Sequence, residues 1–445
     1  MSLQFTNRHN IHGWGRYPTI DSSMAQPHTY HECQALIRDD QFTSGIARGL
    51  GRSYGDSSLS EQIIASKQLN HFIDFDPNTG ELTCEAGTSF SDILQIIIPQ
   101  GWFLPVTPGT QFVTMGGAIA SDVHGKNHHL DGSFSDHVKQ LKLCLADGNI
   151  ICCSAYINRE LFLATCGGMG LTGIILEATI QLIPIESSAI EETTHKTDNL
   201  AETLALFEQH QDATYSVAWI DCLAKGAHLG RSLLMLGEHA SADNDAPLAT
   251  SMHSKLNMPF TLPNFTLNRY SIKAFNALYY ARVRQKLTEK TVNYSPFFYP
   301  LDSIQNWNRM YGKRGFVQYQ FVIPKEAGLT GLTHILNEIA DSQRGSFLAV
   351  LKVFGKGNKN YLSFPMEGYT LALDFKMDST LFSFLDHLDE IVLHYGGRLY
   401  LTKDARMTEQ VFKQSYPQWE KFQDVRQRFG AETQFNSMQS KRLGL

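Results

Sequence analysis

The stretch that decides the fold is 166-CGGMGLTGIILEATIQL-182, which carries the spacing G-x-G-x-x-G at Gly168, Gly170 and Gly173. This spacing marks a Rossmann dinucleotide site only where it follows a strand and opens a helix. Here residues 158–166 have helical spacing, and residues 174–183 are rich in β-branched side chains that partly alternate. The glycines therefore join a helix to a strand, which argues against a Rossmann unit. The high glycine content of this connection needs another explanation.

The bulk composition excludes several classes of protein. The 445 residues are too many for one ordinary core and suit two or three lobes. With 42% hydrophobic and 18% charged residues, the chain is predicted to be a soluble globular protein. A net charge of -6, without a long Lys/Arg block, argues against a dedicated nucleic-acid binder.

Cysteines and apolar runs bear on the compartment. The seven cysteines are an odd count without C-x-x-C spacing, and Cys152 adjoins Cys153, so we predict reduced thiols and a cytoplasmic protein. The N-terminus lacks the apolar segment of a secretory signal. The most apolar run, 93–106, is broken by Pro99 and Gly101 and is too short to span a bilayer. Peripheral contact with a membrane stays open, because charge alone does not decide it.

The character of the chain changes near residue 186. Residues 1–186 combine short predicted strands and helices with glycine-rich loops, as an α+β region does, whereas 187–397 has longer and more aromatic segments. The polar stretch 239–254 is predicted to be a surface loop. Residues 398–412 are predicted to begin as a strand and continue as a helix. We therefore predict three parts, 1–186, 187–397 and 398–445.

Two glycine-rich loops lie in the first part. The loop 47-ARGLGRSYGDS-57 can turn several backbone N–H groups toward one anion, with Arg48 and Arg52 adding charge. It is either a diphosphate cradle or a tight turn with two surface arginines. In the second loop, 114–129, Gly116 and Gly117 let the backbone approach a flat or bulky group. With the glycine segment of the opening stretch, these two loops make three bare loops in the first part, which together with the aromatic second part suggest a large planar cofactor.

Polar residues near these glycines and within apolar strands are the candidate site residues. His124 and His128 are four apart, but no H-E-x-x-H accompanies them and Gly125 weakens a helix, so we predict no metal site. His124 and Lys126 are the better candidates for a polar site, whereas His128 and His129 are predicted to be structural. Lys352 interrupts the apolar run 349–355, and a buried lysine there would be a site candidate. Gln318 and Gln320 alternate with apolar residues along one strand, so they share a face, which a substrate pocket would explain.

Six segments occur in the order, and with nearly the spacing, of a known family. They are 47–56, 107–129, 167–175, 315–324, 363–365 and 397–406, and the most specific motif is 121-SDVHGKNHH-129. On these segments the chain resembles the decaprenylphosphoryl-β-D-ribose 2'-oxidase family of flavoenzymes, which are of the vanillyl-alcohol-oxidase/PCMH type. The resemblance runs from Trp14 to the C-terminus.

The resemblance implies an α+β fold. Its FAD-binding PCMH-type domain, 1–186, would consist of two α+β subdomains. A substrate-binding cap domain built on an antiparallel sheet, 187–397, would be inserted after it. The segment 398–445 would return to the FAD domain. The glycine segment 167–175 would then lie along FAD without any Rossmann unit.

The resemblance also implies which residues form the site. Catalysis would rest on Lys403, with Tyr54 and His124 as second candidates. Substrate would contact Lys126, Gln318, Gln320, Lys352 and Lys403. FAD would contact Ala47, Arg48, Gly49, Leu50, Gly51, Arg52, Ser53, Tyr54, Gly55, Asp56, Ser57, Gly109, Thr114, Met115, Gly116, Gly117, Ser121, Asp122, Val123, His124, Ile175 and Tyr400. Covalent relatives bond the flavin through a histidine of the first loop; residues 51–54 contain none, so FAD is expected to be non-covalent.

The implied reaction is oxidation of the ribose 2'-hydroxyl of a polyprenylphosphoryl-β-D-ribose to a ketone, with hydride passing to flavin N5. A partner short-chain reductase would then complete the epimerisation to the arabinose donor for the cell envelope. The implied location is the cytoplasm, with peripheral contact at the inner face of the membrane left open. Two alternatives are kept: an FAD-dependent oxidase of a soluble sugar, alditol or aldonolactone, and a non-catalytic flavin- or nucleotide-binding module.

The chain departs from the family's pattern at three pocket positions. Ala372 stands where family members carry a reactive cysteine, Thr370 replaces an asparagine, and Phe298 replaces a tyrosine. These changes leave the flavin chemistry untouched, put the identity of the sugar and lipid in question, and predict loss of inhibition by cysteine-directed reagents.

Overall fold

The computed structural model describes residues 4–242, 248–250, 256–263 and 265–445. Most of the predicted loop 239–254 therefore lies outside the described residues. Among the described residues, every helix is too short or too polar to cross a membrane. All seven cysteines are free thiols, and only Cys152 is not buried.

The N-terminal part builds a four-stranded sheet in the order β1-β2-β4-β3, in which β2 and β3 both run parallel to β4. Thr29 caps its helix, accepting a hydrogen bond from Glu32 N at 3.2 Å, while the Glu32 carboxylate accepts from His28 N. Its elements are β1 (Thr6–His12), β2 (Thr19–Ala25), α1 (Tyr30–Arg38), β3 (Gly45–Arg48) and β4 (Gln62–Ala65).

A five-stranded antiparallel sheet in the order β5-β6-β10-β8-β9 follows, with two short strands, β7 and β11, paired beside it. The predicted helix before the glycines and the predicted strand after them are confirmed. The elements are β5 (Phe72–Asp76), β6 (Glu81–Glu85), α2 (Phe90–Ile97), β7 (Trp102–Phe103), α3 (Met115–Ala120), α4 (His128–Asp131), β8 (Val138–Cys144), β9 (Ile150–Cys153), α5 (Arg159–Thr165), β10 (Ile174–Gln181) and β11 (Ile183–Pro184).

Residues 189–399 contribute an eight-stranded antiparallel sheet in the order β16-β12-β14-β13-β19-β20-β18-β21. The described elements are β12 (Ala189–Thr197), α6 (Leu200–Gln209), β13 (Tyr215–Ile220), β14 (Ser232–His239), β15 (Leu256–Asn257), α7 (Arg269–Ala281), β16 (Leu287–Asn293), α8 (Tyr294–Phe298), β17 (Ile304–Gln305), β18 (Phe316–Pro324), α9 (Gly328–Ser342), β19 (Ala349–Phe354), β20 (Gly368–Lys376), α10 (Leu381–His394) and β21 (Arg398–Leu399).

The register of this sheet gathers polar side chains on one face. Gln318 of β18 lies opposite Asp374 of β20, and Lys352 of β19 lies opposite Thr370. Because successive side chains of a strand point to opposite faces, Gln320 shares the face of Gln318. This polar face contrasts with the apolar opposite face, where α9 and α10 pack against β18.

The C-terminal segment returns to the N-terminal part through α11 (Glu409–Ser415), α12 (Trp419–Arg428), α13 (Ala431–Gln434) and α14 (Met438–Leu443). Arg442 pairs with the buried carboxylate of Asp56 at 2.8 Å. Arg426, fully buried, donates to Leu171 O at 3.1 Å. These contacts hold the C-terminal helices against the N-terminal part of the chain.

The prediction for residues 398–412 is wrong in its detail. The strand β21 covers only Arg398–Leu399, and the helix begins at Glu409. Between them Asp404 Oδ1 accepts hydrogen bonds from the backbone of Arg406 and Met407, which fixes a turn. This turn carries Lys403, one of the predicted site residues.

Candidate active site

A cavity of about 1080 Å³ lies between the loops of the N-terminal part and the polar face of the eight-stranded sheet. Pockets for one small molecule usually measure about 300–1,000 Å³. The volume therefore lies slightly above the usual range for one small molecule. The structure brings together at this cavity the following predicted residues: Ala47, Gly49, Leu50, Gly51, Arg52, Ser53, Tyr54, Ser57, Gly109, Thr114, Gly116, Gly117, Ser121, Val123, His124, Lys126, Ile175, Gln318, Gln320, Lys352, Tyr400 and Lys403.

The loop after β3 forms one wall of the cavity with its backbone. Gly51 has a φ of 64°, which a side chain would strain, so the loop can turn back on itself only there. Its far end is fixed because Tyr54 N donates to Thr402 O at 3.0 Å. The guanidinium carbon of Arg52 lies 4.0 Å from the ring centroid of Trp14, which holds a positive charge at the wall.

The second glycine-rich loop leaves space where side chains would fit. Thr114 caps α3 by accepting a hydrogen bond from Gly117 N at 3.2 Å. A Cβ added at Gly109 would meet no atom within 4 Å, and one at Gly117 would meet only Thr114 Oγ1, at 3.0 Å. The fold therefore leaves room for a side chain at Gly109, and at Gly117 it requires only that the Thr114 hydroxyl shift by a few tenths of an ångström. What the cavity holds is the better explanation.

The glycine segment of the opening stretch forms a third wall. Met169, Gly170 and Gly173 line the cavity together with Ile175, the one residue of the segment 167–175 that was named individually among the expected FAD contacts. Gly170 has a φ of 79°, so the chain turns sharply between α5 and β10. The segment thus presents backbone to the cavity from a helix-to-strand connection.

His124 is a buried, neutral hydrogen-bond donor. Gln320 Nε2 lies 3.0 Å from His124 Nε2 and donates to it, which places the ring proton on Nδ1. His124 Nδ1 is buried and has no partner among the described residues. Burial lowers the pKa of His124 well below its ordinary value, and the nearby ammonium groups of Lys352 and Lys403 add to this effect. The imidazole therefore stays neutral and offers Nδ1–H to a group in the cavity.

Lys126 and Lys352 bring two ammonium groups to the cavity. Lys126 Nζ donates to Phe297 O at 2.5 Å and lies 4.0 Å from the Phe297 ring centroid. Lys352 Nζ is 3.4 Å from Gly125 O. Burial lowers the pKa of Lys126 to about 7, with Lys352 contributing, and lowers that of Lys352 to about 8. Neighbouring Glu192 pairs instead with Lys290, at 3.1 Å. An anion in the cavity would favour the charged form of both lysines and so raise their pKa.

Lys403 and Asp374 are two buried titratable groups whose charges interact, without an ion pair or hydrogen bond between them. Lys403 Nζ lies 4.0 Å from the ring centroid of Tyr54. Burial lowers the pKa of Lys403 to about 7, opposed by the charge of Asp374. Asp374 accepts hydrogen bonds from Gln318 Nε2 at 2.7 Å and from Tyr311 OH at 3.3 Å. Burial raises the pKa of Asp374 to about 7, so both groups can change protonation near neutrality.

Some predicted cofactor residues do not line the cavity, because their side chains are committed to protein partners. Arg48 donates to Ser58 O and His12 O, Asp56 pairs with Arg442, and Asp122 accepts from Asn360, Ser363 and the Ser135 backbone. Met115 is fully buried, and a Cβ on Gly55 would lie 1.7 Å from Asp404 O. Five residues, Arg48, Gly55, Asp56, Met115 and Asp122, therefore lie behind the cavity wall, and their contact with FAD stays a prediction.

Sequence reasoning did not single out two residues at the site. Trp14 lines the cavity, and Asp374 lies behind the lining, hydrogen-bonded to Gln318. An apolar arm of the cavity is lined by Trp219, Phe275, Tyr279 and Phe347. The departures Ala372, Thr370 and Phe298 all line the cavity, so they bear on what it accepts.

The residues present fit FAD. The backbone N–H groups of Gly51, Arg52 and Ser53 meet no acceptor among the described residues, as a cradle for a diphosphate would require. The space beside Gly109 and Gly117 accommodates a bulky group, and His124 Nδ1 offers a donor that lacks a partner. A metal is not indicated: the described residues contain no cluster of three His, Cys, Asp or Glu side chains suited to hold one.

Known proteins resemble this chain over different shares of its length. A family model described as an FAD binding domain matches residues 22–154. A decaprenylphosphoryl-β-D-ribose oxidase from Mycolicibacterium smegmatis is 37% identical over 99% of this chain and 98% of its own length. An uncharacterized protein of Streptomyces coelicolor is 32% identical over 79% of this chain and 99% of its own. The L-gulonolactone oxidase of Bos taurus is 29% identical over 44% of this chain and 45% of its own.

Proposed function

The chain belongs to the decaprenylphosphoryl-β-D-ribose oxidase family, and we propose that it oxidises the 2'-hydroxyl of a polyprenylphosphoryl-β-D-ribose to a 2'-ketone. It is an FAD-dependent oxidoreductase. The observation that carries the substrate proposal is the meeting of four features at one cavity. Bare backbone walls, a lysine whose pKa is lowered to about 7, two further ammonium groups and an apolar arm converge there. A lipid-linked sugar phosphate needs all four.

FAD supplies the redox chemistry, accepting a hydride equivalent at its N5 position when it is bound. We propose that the loop 47–57, the loop 109–117 and the segment 169–175 hold it, with His124 Nδ1 as a fixed donor. Residues 47–57 contain neither histidine nor cysteine, which supports non-covalent binding. Acid precipitation is therefore expected to release the yellow colour to the supernatant; a yellow pellet would contradict this.

Domain boundaries follow from the same proposal. The four- and five-stranded sheets of residues 1–186 would be the two α+β subdomains of the FAD domain, and residues 187–397 the cap. The segment from 398 onward would belong to both, because β21 pairs with β18 of the cap sheet before α11–α14 pack on the FAD domain.

The substrate's phosphate would bind Lys126 and Lys352. Their ammonium groups share the cavity, and each has its pKa lowered by burial, so a phosphate would favour their charged forms. The polyprenyl chain would follow the apolar arm past Trp219, Phe347 and Phe275. This arrangement would leave the ribose beside Lys403.

Proton removal would fall to Lys403. As the free amine, its Nζ can accept the proton of the 2'-hydroxyl, and Asp374 can take part in passing that proton on. Gln318 and Tyr311 fix the Asp374 carboxyl through their hydrogen bonds. The pKa of Tyr54 is raised by burial and by the charge of Asp374. Tyr54 would therefore stay protonated and line the cavity without acting as the base.

The rate of flavin reduction is expected to rise with pH, with a midpoint near 7, because only the free amine of Lys403 can act as a base. Asp374 favours the ammonium form, so Asp374→Asn should lower the pKa of Lys403 and move the midpoint to lower pH. Lys352 repels the ammonium and remains in both proteins. Anaerobic stopped-flow bleaching between pH 5.5 and 9 measures the midpoint. The control is Asp302→Asn, which replaces a carboxylate that accepts hydrogen bonds from Thr110 and Gln111. A midpoint that Asp374→Asn leaves unmoved would remove the pair from the mechanism.

The substrate proposal is tested by anaerobic bleaching of the flavin. Farnesylphosphoryl-ribose should bleach it, while free ribose, alditols and aldonolactones at the same concentration should not. Bleaching by free sugars as fast as by the phosphoryl lipid would instead support the soluble-sugar oxidase. That alternative has a partial basis in the L-gulonolactone oxidase match, which covers 44% of this chain. Retained colour without bleaching by any of these compounds would support a non-catalytic module.

The product of this reaction is a ketone, which must be reduced from the opposite face to give the arabinose epimer. We therefore propose a partner reductase of the short-chain type. Its supporting argument is chemical: oxidation at the 2' carbon alone does not invert it.

A further inference from the structure

The segment 256–293 has a charge opposite to that of the whole chain. It contains Arg269, Lys273, Arg282, Arg284, Lys286 and Lys290 but only one acid, Glu289, within a chain whose net charge is -6. Lys286 and Lys290 pair with carboxylates of the cap, at 2.7 Å and 3.1 Å. Lys273 and Arg284 are exposed and enter no ion pair with a described residue. Positive charge is thus concentrated on one surface.

Helix α7 in this segment exposes an apolar stripe. Only Ile272 and Asn276 of the helix are buried. On the opposite side the residues 270, 274, 277, 278 and 281 follow helical spacing and form a stripe of Tyr, Ala and Leu. Tyr270 is 68% and Leu278 73% exposed. Just before the helix, Phe265 is 78% exposed. At 100° per residue, Arg269 and Lys273 flank one side of the stripe and Arg282 the other.

This surface borders the mouth of the cavity. Leu267, Ile272, Phe275 and Tyr279 line the cavity, and Phe275 is also exposed on the outside of the helix. The rings of Phe275 and Phe347 lie 5.7 Å apart. Phe275 therefore lies both at the apolar arm of the cavity and on the outside of α7.

We propose that this surface, formed by Phe265, Tyr270, Lys273, Leu278 and Arg284, docks the protein on a bilayer of anionic phospholipid. An exposed apolar stripe with cations at its flanks is the pattern of a helix that lies in the membrane interface. The positive segment complements anionic headgroups, whereas the rest of the acidic chain is repelled by them. On the proposed function, docking would present the cavity mouth to lipid-linked substrate within the bilayer.

The test is flotation of the FAD-loaded protein with vesicles of phosphatidylcholine and phosphatidylglycerol in about a three-to-one ratio. Wild type should float with these vesicles and not with phosphatidylcholine alone. Phe265→Asp combined with Leu278→Asp should reduce binding by about tenfold or more, and Lys273→Glu with Arg284→Glu likewise. The control is Tyr156→Asp with Ile157→Asp, two apolar residues that are 94% and 54% exposed on the other lobe; it should bind as wild type does.

Activity separates this proposal from the proposed function. The Phe265/Leu278 variant should oxidise dissolved farnesylphosphoryl-ribose at the wild-type rate and a long-chain substrate embedded in vesicles about tenfold more slowly. Equal flotation of wild type with neutral and anionic vesicles, or equal loss of binding in the control, would overturn the surface while leaving the oxidase intact. A wild-type dimer that the variant converts to monomer, without any change in flotation, would assign the surface to a second copy of the chain and overturn the proposal too.

Discussion

Lys403→Ala is expected to slow anaerobic flavin reduction by at least about tenfold, and by about 10²-fold if the 2'-hydroxyl proton leaves through this residue alone. FAD content should be unchanged, because the loops that would hold FAD are fixed by other contacts. The reason is positional: the Lys403 ammonium lies against the Tyr54 ring, near Asp374, in a turn anchored by Asp404. Stopped-flow bleaching by farnesylphosphoryl-ribose gives the rate directly.

Lys352→Met is the matched control for this prediction. It also removes a buried ammonium group from the cavity, but one that would bind the phosphate rather than the proton. The substrate concentration at half-maximal rate should rise, while the limiting rate stays within about threefold of wild type. If both variants lower the limiting rate by the same factor, Lys403 has no special part in proton removal.

Gly117→Leu is expected to raise the Kd for FAD by about 10²-fold, or about 2.8 kcal/mol, while the apoprotein stays folded. The Kd for FAD should rise because the leucine side chain would occupy space in the cavity that FAD needs. The apoprotein should stay folded because an added Cβ meets only Thr114 Oγ1, at 3.0 Å, and because leucine favours a helix more than glycine does. Gly109→Leu, where a Cβ meets nothing within 4 Å, should act in the same direction.

The FAD affinity of these variants can be measured by fluorescence quenching on titration into apoprotein, and their fold by circular dichroism and Tm. Ala205→Leu, on the exposed side of α6 in the cap, adds the same bulk away from the cavity and should leave the affinity unchanged. Unaltered FAD binding in both glycine variants would show that these positions do not face the cofactor.

Local sequence patterns were sufficient to predict the helix and the strands that flank the site. Periodicity placed α5 and β10 on either side of the glycines, and the alternation of Gln318 and Gln320 correctly gave one polar face of a strand. These predictions depend on neighbours in sequence, which fix which side of a helix or strand is apolar. The family resemblance added the residues of the cavity, most of which the structure gathers there.

Contacts between distant segments were beyond such reasoning. The proximity of Lys403 and Asp374 depends on the register of β18 with β20 and on the turn after β21, and no short motif encodes either of them. Likewise, Arg48 and Asp56 sit in the predicted cofactor loop, yet their charges are satisfied by partners elsewhere in the chain, Asp56 by Arg442 from its last helix. The stripe on α7 could be found in the sequence, but its exposure could not, since an apolar stripe normally packs inward.

The central claim is that three stretches of bare backbone in the N-terminal part hold FAD beside Lys403. A crystal structure of the FAD-loaded protein tests it most directly. The account predicts isoalloxazine density in contact with the loops 47–57 and 109–117 and the segment 169–175, with Lys403 on the substrate side. Density for FAD elsewhere, or a cavity that stays empty at saturating FAD, would contradict it.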